Sequence, residues 1–249
     1  MLKTFLSSIL FCFAVIIITN PAIAQTTVDS SAHAPAMYAN AEDNFYNAVG
    51  PQSRLYSGMA YDFYDPIIKG NAYVLDNASW NLGSVMYDGY LYKNVSMLYD
   101  IYKDLLVIQL YHSALKMALL KSKVKSFDLL NHHFIYIEED PANTTSVNTG
   151  YYDQLYGGSI EVLAYRAKSI QTSTGFGGTI DSYFSPSIDY YLYKDGKYYP
   201  VSSQGSFLKV LKDRKKELQQ YIRGNKIKFR QQKEQAMVKI AAYYDHLTN

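Results

Sequence analysis

Apolar positions along the chain keep two different periods. From Phe45 to Val201 they fall in short β-like runs, among them Val95–Ile101, Leu105–Tyr111, Leu115–Leu120, Lys123–Leu129 and His133–Ile137. Gly-containing turns recur behind a tyrosine, at Tyr56-Ser57-Gly58, Tyr87-Asp88-Gly89, Tyr156-Gly157-Gly158 and Tyr193-Lys194-Asp195-Gly196. Such turns need positive φ, which Gly and Asp tolerate, and their twist suits antiparallel hairpins. Their irregular spacing describes a meander of hairpins rather than a solenoid or propeller. Residues 138–150 (EEDPANTTSVNTG) and the GFGG at 175–178 read as loops.

The tail changes period. Phe207, Leu208, Leu211, Leu218, Tyr221 and Ile222 form one stripe with a spacing near 3.6 residues, and Phe229, Ala236, Met237, Ile240, Tyr244 and Leu247 form a second. Ser202 or Ser203 can cap the first and Gly224 can end it. Two amphipathic helices follow, and each needs an apolar surface to rest on. The predicted fold class is α+β, mainly β. A curved antiparallel sheet, or a sandwich of hairpins, occupies residues 45–201, with a C-terminal helical pair at residues 202–249 packed on it.

Ahead of this body, residues 1–24 have the form of a secretory signal peptide, with Lys3, the apolar run Ile9–Ile18 and an Ala22-Ile23-Ala24 cleavage site. Residues 25–44 are small and polar, and are expected to be a flexible leader. Cleavage would remove the single cysteine, Cys12, so a hydrophobic core rather than disulfides must hold the mature fold. The expected location is the periplasm or the extracellular side, including a peripheral position at the outer membrane. No transmembrane span is expected after cleavage, and the strand-like runs are shorter than the about 9–11 residues of a membrane barrel strand.

Charge is divided along the mature chain. Residues 205–239 hold 11 Lys/Arg against Asp213, Glu217 and Glu234, a net +8, whereas residues 25–204 carry 12 basic and 18 acidic groups, a net −6. Nucleic acid is not expected as a partner, because the lysines oppose an apolar stripe as solvated helix faces do. An acidic partner or an anionic lipid fits the tail better.

The chain contains 26 tyrosines, several of them beside the tight turns. A hairpin around Asp88-Gly89 places Val85, Tyr87, Tyr90 and Tyr92 on one face and Met86 with Leu91 on the other. Around Asp195-Gly196, Tyr191, Tyr193 and Tyr198 fall together, opposite Tyr190, Leu192, Tyr199 and Val201. Pro200 donates no ladder hydrogen bond, so its strand ends there or lies at an edge. The ordinary account is tyrosine on a half-wetted sheet face. The sharper one is a ligand face of Trp80, Tyr87, Tyr90, Tyr92, Tyr191, Tyr193 and Tyr198 that stacks on sugar rings.

Motifs for catalysis, metal or cofactor binding are missing from the sequence: it has no H-E-x-x-H, P-loop, EF-hand or G-x-S-x-G. His132-His133, followed by Glu138, Glu139 and Asp140, is the densest set of metal-ligand types and is expected to be loop histidines. Asp62 with Asp65 and Asp100 with Asp104 are the carboxylate pairs a hydrolase could use, although a turn explains the second pair. No catalytic, metal or cofactor site is therefore assigned.

The strings YDGYLYKNVSMLYDI (87–101), KSIQ (168–171), DGKYYPV (195–201) and KDRKKELQQYIRGNKIKF (212–229) resemble a group of uncharacterised exported Gram-negative bacterial proteins. The resemblance spans most of residues 45–247. It implies export and a single architecture, and brings no activity with it. The expected function is that of a non-catalytic binding or accessory protein of the cell envelope, acting on an envelope protein, glycan or lipid. The alternatives are a carrier of an apolar or glycan ligand in the curved sheet and a carboxylate-dependent hydrolase.

Overall fold

Eleven antiparallel strands form one continuous open sheet, ordered β1-β5-β4-β3-β2-β6-β7-β8-β9-β10-β11. The computed structural model describes residues 54–110, 115–139, 147–174 and 176–248, together with positions 44 and 48. The segment expected to be a signal peptide (1–24), almost all of the expected leader (25–44) and part of the stretch 138–150 lie outside the described residues. The strands are β1 (Gly58–Ala60), β2 (Asn81–Tyr87), β3 (Tyr90–Asp100), β4 (Leu105–Gln109), β5 (Lys116–Leu119) and β6 (Val124–Leu129). They continue with β7 (His132–Ile137), β8 (Gly150–Gly157), β9 (Glu161–Thr174), β10 (Ile180–Lys194) and β11 (Lys197–Pro200). Three helices follow: α1 (Gln204–Val210), α2 (Lys215–Gly224) and α3 (Lys233–Thr248).

The turns set the register. Asp88 and Gly89 have φ of 51° and 82°, Asp195 and Gly196 of 53° and 75°, as two-residue I′ hairpins require. Tyr87 then pairs with Tyr90 and Val85 with Tyr92, while Tyr193 pairs with Tyr198. Strand β11 ends at Pro200 and forms one edge of the sheet. A third turn of this kind lies between β6 and β7 at Leu130-Asn131, with φ of 54° and 62° and no glycine. The Tyr56-Ser57-Gly58 segment is not a hairpin. A 3₁₀ turn at Arg54–Tyr56 leads into the edge strand β1, which pairs with β5. A Cβ at Gly58 would lie 2.3 Å from the Ala118 carbonyl oxygen, so this glycine serves close strand approach.

Three strands exceed the hydropathy runs: β3 has 11 residues, β9 has 14 and β10 has 15. The far halves of β9 and β10 are mostly polar and not buried in the core, so no apolar alternation marks them. Backbone pairing from Tyr193–Glu161 out to Ile180–Thr174 forms them instead. His132 and His133 also depart from expectation, since they open β7 rather than lying in a loop.

The sheet is rolled. Strands β3 and β8 are four places apart in the sheet, ~19 Å along a flat one, yet the rings of Tyr99 and Tyr151 are 5.8 Å apart. Tyr99 also meets Phe127 at 5.2 Å and Phe134 at 5.1 Å, and Phe127 stacks on Phe134 at 4.8 Å. These rings fill the inside of the curve, with Val85, Tyr87, Tyr92, Met97 and Ile108 around them. A backbone hydrogen bond from Lys168 N–H to the Ile101 carbonyl ties β9 to the end of β3.

The helices cover the neighbouring part of the same face. Phe207, Leu208, Leu211, Leu218, Ile222, Met237, Ile240 and Tyr244 are buried with Ile160, Val162, Leu192 and Val201 of the sheet. Ser203 and Ser206 form a capping box at the start of α1. The first stripe is not one helix, because a 3₁₀ turn at Lys212–Arg214 separates α1 from α2. Neither Pro nor Gly marks this break, and the apolar residues on both sides of it still face the sheet.

Charged side chains fix α3. Asp245 accepts hydrogen bonds from Tyr156 Oη (2.8 Å), the Ser159 N–H (3.0 Å) and the Ser159 hydroxyl. Arg166, buried, bridges Asp153 of β8 (2.7 Å) and Glu234 of α3 (2.9 Å), and His132 shares the same Asp153 oxygen at 2.7 Å. Among the described residues no helix is long and apolar enough to cross a membrane.

Candidate functional site

The tyrosines chosen by sequence do not form one face. The first hairpin has the predicted alternation, but its aromatic side is the interior one: Tyr87 is 0% and Tyr92 4% exposed, whereas Leu91 on the other side is 38% exposed. Only Tyr90, beside the turn, is open, at 46%. The curvature of the sheet turns this face inward, and period-two alternation alone cannot choose between inside and outside. Trp80 packs with Tyr61, Tyr73, Leu98 and Val107 on the outer face of β3–β5. Tyr191 and Tyr198 belong to a further cluster with Tyr152 and Leu163, and the Tyr193 ring lies tilted against that of Tyr198, their centroids 4.7 Å apart. The seven residues therefore lie in separate clusters.

A different aromatic group reaches the surface, and a buried carboxylate organises it. Asp100, 0% exposed at the end of β3, accepts the backbone N–H groups of Tyr102 (2.9 Å) and Lys103 (3.0 Å) on Oδ1. Its Oδ2 accepts the hydroxyls of Tyr61 (2.9 Å) and Tyr64 (2.6 Å). One carboxylate thus fixes both the β3–β4 turn and the segment that crosses the outer face of the sheet. Burial, together with the negative charge of Asp100, pushes the phenols of Tyr61 and Tyr64 far above their ordinary range, so both remain donors at any working pH.

Above this carboxylate, Tyr64 meets Tyr102 edge-to-face at 5.6 Å and Phe184 at 5.1 Å, while Tyr102 and Phe184 are 5.8 Å apart. The Lys103 ammonium lies 4.6 Å from the Tyr64 centroid, and Lys116 lies 4.5 Å from that of Phe63. Strand β10 reaches this place because Lys69 pairs with its outer edge, donating to the Ser182 carbonyl and accepting from the Phe184 N–H. Phe63, Ile67 and Tyr102 are exposed, as are Asp62 and Asp65. The result is a surface of aromatic rings interspersed with carboxylates and ammonium groups. Sequence reasoning missed it because its parts come from positions 61–67, 102–103 and 184. The one available signal was the aromatic density of YDFYD at residues 61–65.

Of the two carboxylate pairs a hydrolase could use, Asp62 and Asp65 lie exposed on this surface, whereas Asp100 and Asp104 are engaged in structure. Asp100 accepts four hydrogen bonds, and Asp104 accepts from the Tyr99 hydroxyl (2.7 Å) and pairs with Lys121. His132 and His133 turn to different carboxylates, Asp153 and Asp128. No group of three potential metal ligands occurs among the described residues. An open cleft of about 480 Å³ lies at the start of α1, lined in part by Ser203, Phe229, Arg230 and Lys233, and it holds none of the sequence-predicted residues. No protein-family model, curated protein or solved structure matches the chain.

Proposed function

We propose that this chain is an exported, non-catalytic binding protein of the cell envelope, and that the Tyr64–Tyr102–Phe184 surface is where it takes a glycan. The single observation behind this reading is that surface itself, where an exposed Tyr102 and the half-buried rings of Tyr64 and Phe184 meet beside a buried carboxylate that anchors Tyr64 by its hydroxyl. Sugars present C–H faces that stack on such rings and hydroxyls that bond to carboxylate and ammonium groups, and Asp62, Asp65 and Lys103 supply these. A ligand carried inside the rolled sheet has less support, because aromatic side chains fill that space. The test is titration of the protein, followed by NMR, with soluble oligosaccharides released from bacterial envelopes. Tyr102→Ala should reduce binding at least ~10-fold without a loss of melting temperature, and Tyr90→Ala, outside the surface, should leave binding unchanged. If no such oligosaccharide perturbs Tyr64, Tyr102 or Lys103 resonances, the glycan assignment fails.

A further inference from the structure

The helical layer is basic for a reason its own stability does not supply. All three acidic side chains of residues 205–239 are already engaged: Asp213 by Tyr244 (2.8 Å) and Lys194, Glu234 by Arg166 and Tyr190, and Glu217 by Arg214 at 3.9 Å. The eleven basic groups are mostly left over. Lys209, Lys212, Lys215, Lys216, Lys226 and Lys239 are exposed, and none forms an ion pair among the described residues. Two of them sit where the helix dipole opposes them. Lys215 and Lys216 open α2, its N-cap Arg214 makes no side-chain cap, and the positive end of a helix favours acidic groups instead. The packing also leaves the layer no apolar side to offer, since Phe207, Leu211, Leu218, Ile222, Met237 and Ile240 all face the sheet.

From this placement we infer that the outer surface of α1, α2 and α3 adsorbs to the phosphate headgroups of an anionic bilayer. Contact is electrostatic and without insertion of a helix. A broad layer of lysines, compact point charges rather than planar forks, suits a diffuse plane of phosphates. A pocket for one phosphate would need buried, converging donors, and these lysines are all exposed. The attraction acts within a Debye length of about 8 Å at physiological salt, so binding must collapse as salt rises. This surface is separate from the aromatic one, and its failure would leave the glycan proposal standing.

The experiment is co-sedimentation of the chain, residues 25–249, with vesicles of phosphatidylcholine containing ~30% phosphatidylglycerol, and with phosphatidylcholine alone. Binding is expected only to the anionic vesicles and should fall at least ~10-fold between about 50 and about 300 mM salt. The variant Lys209→Gln/Lys212→Gln/Lys215→Gln/Lys216→Gln should lose at least ~10-fold in binding. Its melting temperature should hold or rise, because the dipole conflict at α2 is relieved. The control Lys93→Gln/Lys125→Gln, on exposed strand positions, should bind as the unmodified chain does. Trp80, packed with Tyr61 and Tyr73, should show no change in fluorescence. Absence of binding to anionic vesicles overturns the inference, as does equal binding by the four-lysine variant. Salt-resistant binding would replace adsorption by insertion, and tighter binding to poly-glutamate or to a DNA duplex than to the vesicles would assign the layer to that polyanion instead.

Discussion

Replacing Gly158 by alanine places a methyl carbon 1.9 Å from Asp245 Oδ2, the carboxylate that docks the end of α3 on the β8–β9 turn. The backbone at Gly158 does not have positive φ, so the cost arises from space alone. The carboxylate must move, and it then loses one or two of the bonds it accepts from Tyr156 and Ser159. Hydrogen bonds to a charged group contribute about 1.5–3 kcal/mol each, so Gly158→Ala should cost about 2–4 kcal/mol. Asp245→Ala removes all three bonds without a clash and should cost about 4.5 kcal/mol or more. In the double variant the obstructing oxygen is gone and Tyr156 is free to swing aside. The double variant should therefore be no less stable than Asp245→Ala by more than ~0.5 kcal/mol, which gives a coupling of about 1.5 kcal/mol or more. Equilibrium urea unfolding followed by far-ultraviolet circular dichroism measures all four corners of this cycle. Additivity within ~0.5 kcal/mol would show that Gly158 acts through the backbone or through Tyr156, and would refute the Asp245 latch.

Tyr87 and Tyr90 pair across one turn but should respond differently to alanine. Tyr87, 0% exposed with its hydroxyl donating to the Ser57 carbonyl, should cost about 3–5 kcal/mol, whereas Tyr90, 46% exposed, should cost under ~1 kcal/mol, both measured by urea unfolding. Burial raises the Asp213 carboxyl, but the hydrogen bond from Tyr244 and the nearby Lys194 ammonium outweigh it and hold it below its ordinary range. A lowered folded-state value means that its contribution is present above the unfolded-state value and is lost as pH falls through the folded one. Asp213→Asn should accordingly flatten the loss of melting temperature below about pH 4, and an unchanged acid limb would count against the pairing.

Sequence alone determined the features that depend on neighbours in the chain. Positive φ at Asp88-Gly89 and Asp195-Gly196 needs residues that tolerate it, and once the turn is set the pairing of Tyr87 with Tyr90 and of Tyr193 with Tyr198 follows. The runs that became β3 to β7 and the apolar stripes of the tail were legible for the same reason, since periodicity is a local property. The turn at Leu130-Asn131 left only a weak mark, since Asn131 tolerates positive φ but Leu130 does not favour it, and neither Pro nor Gly marks the break between α1 and α2.

What only the tertiary structure decided is the direction in which each face looks. Alternation sorts Tyr87 and Tyr92 onto one side of a hairpin, but the roll of the sheet, which brings Tyr99 to Tyr151 across four strands, made that side the interior. The candidate binding surface depends on the same long-range closure. Asp100 gathers Tyr61 and Tyr64 from 39 and 36 residues away, and β10 adds Phe184 through its edge contact with Lys69. Such contacts depend on strand order and curvature, which are set by the packing of the whole core and not by any window of the chain.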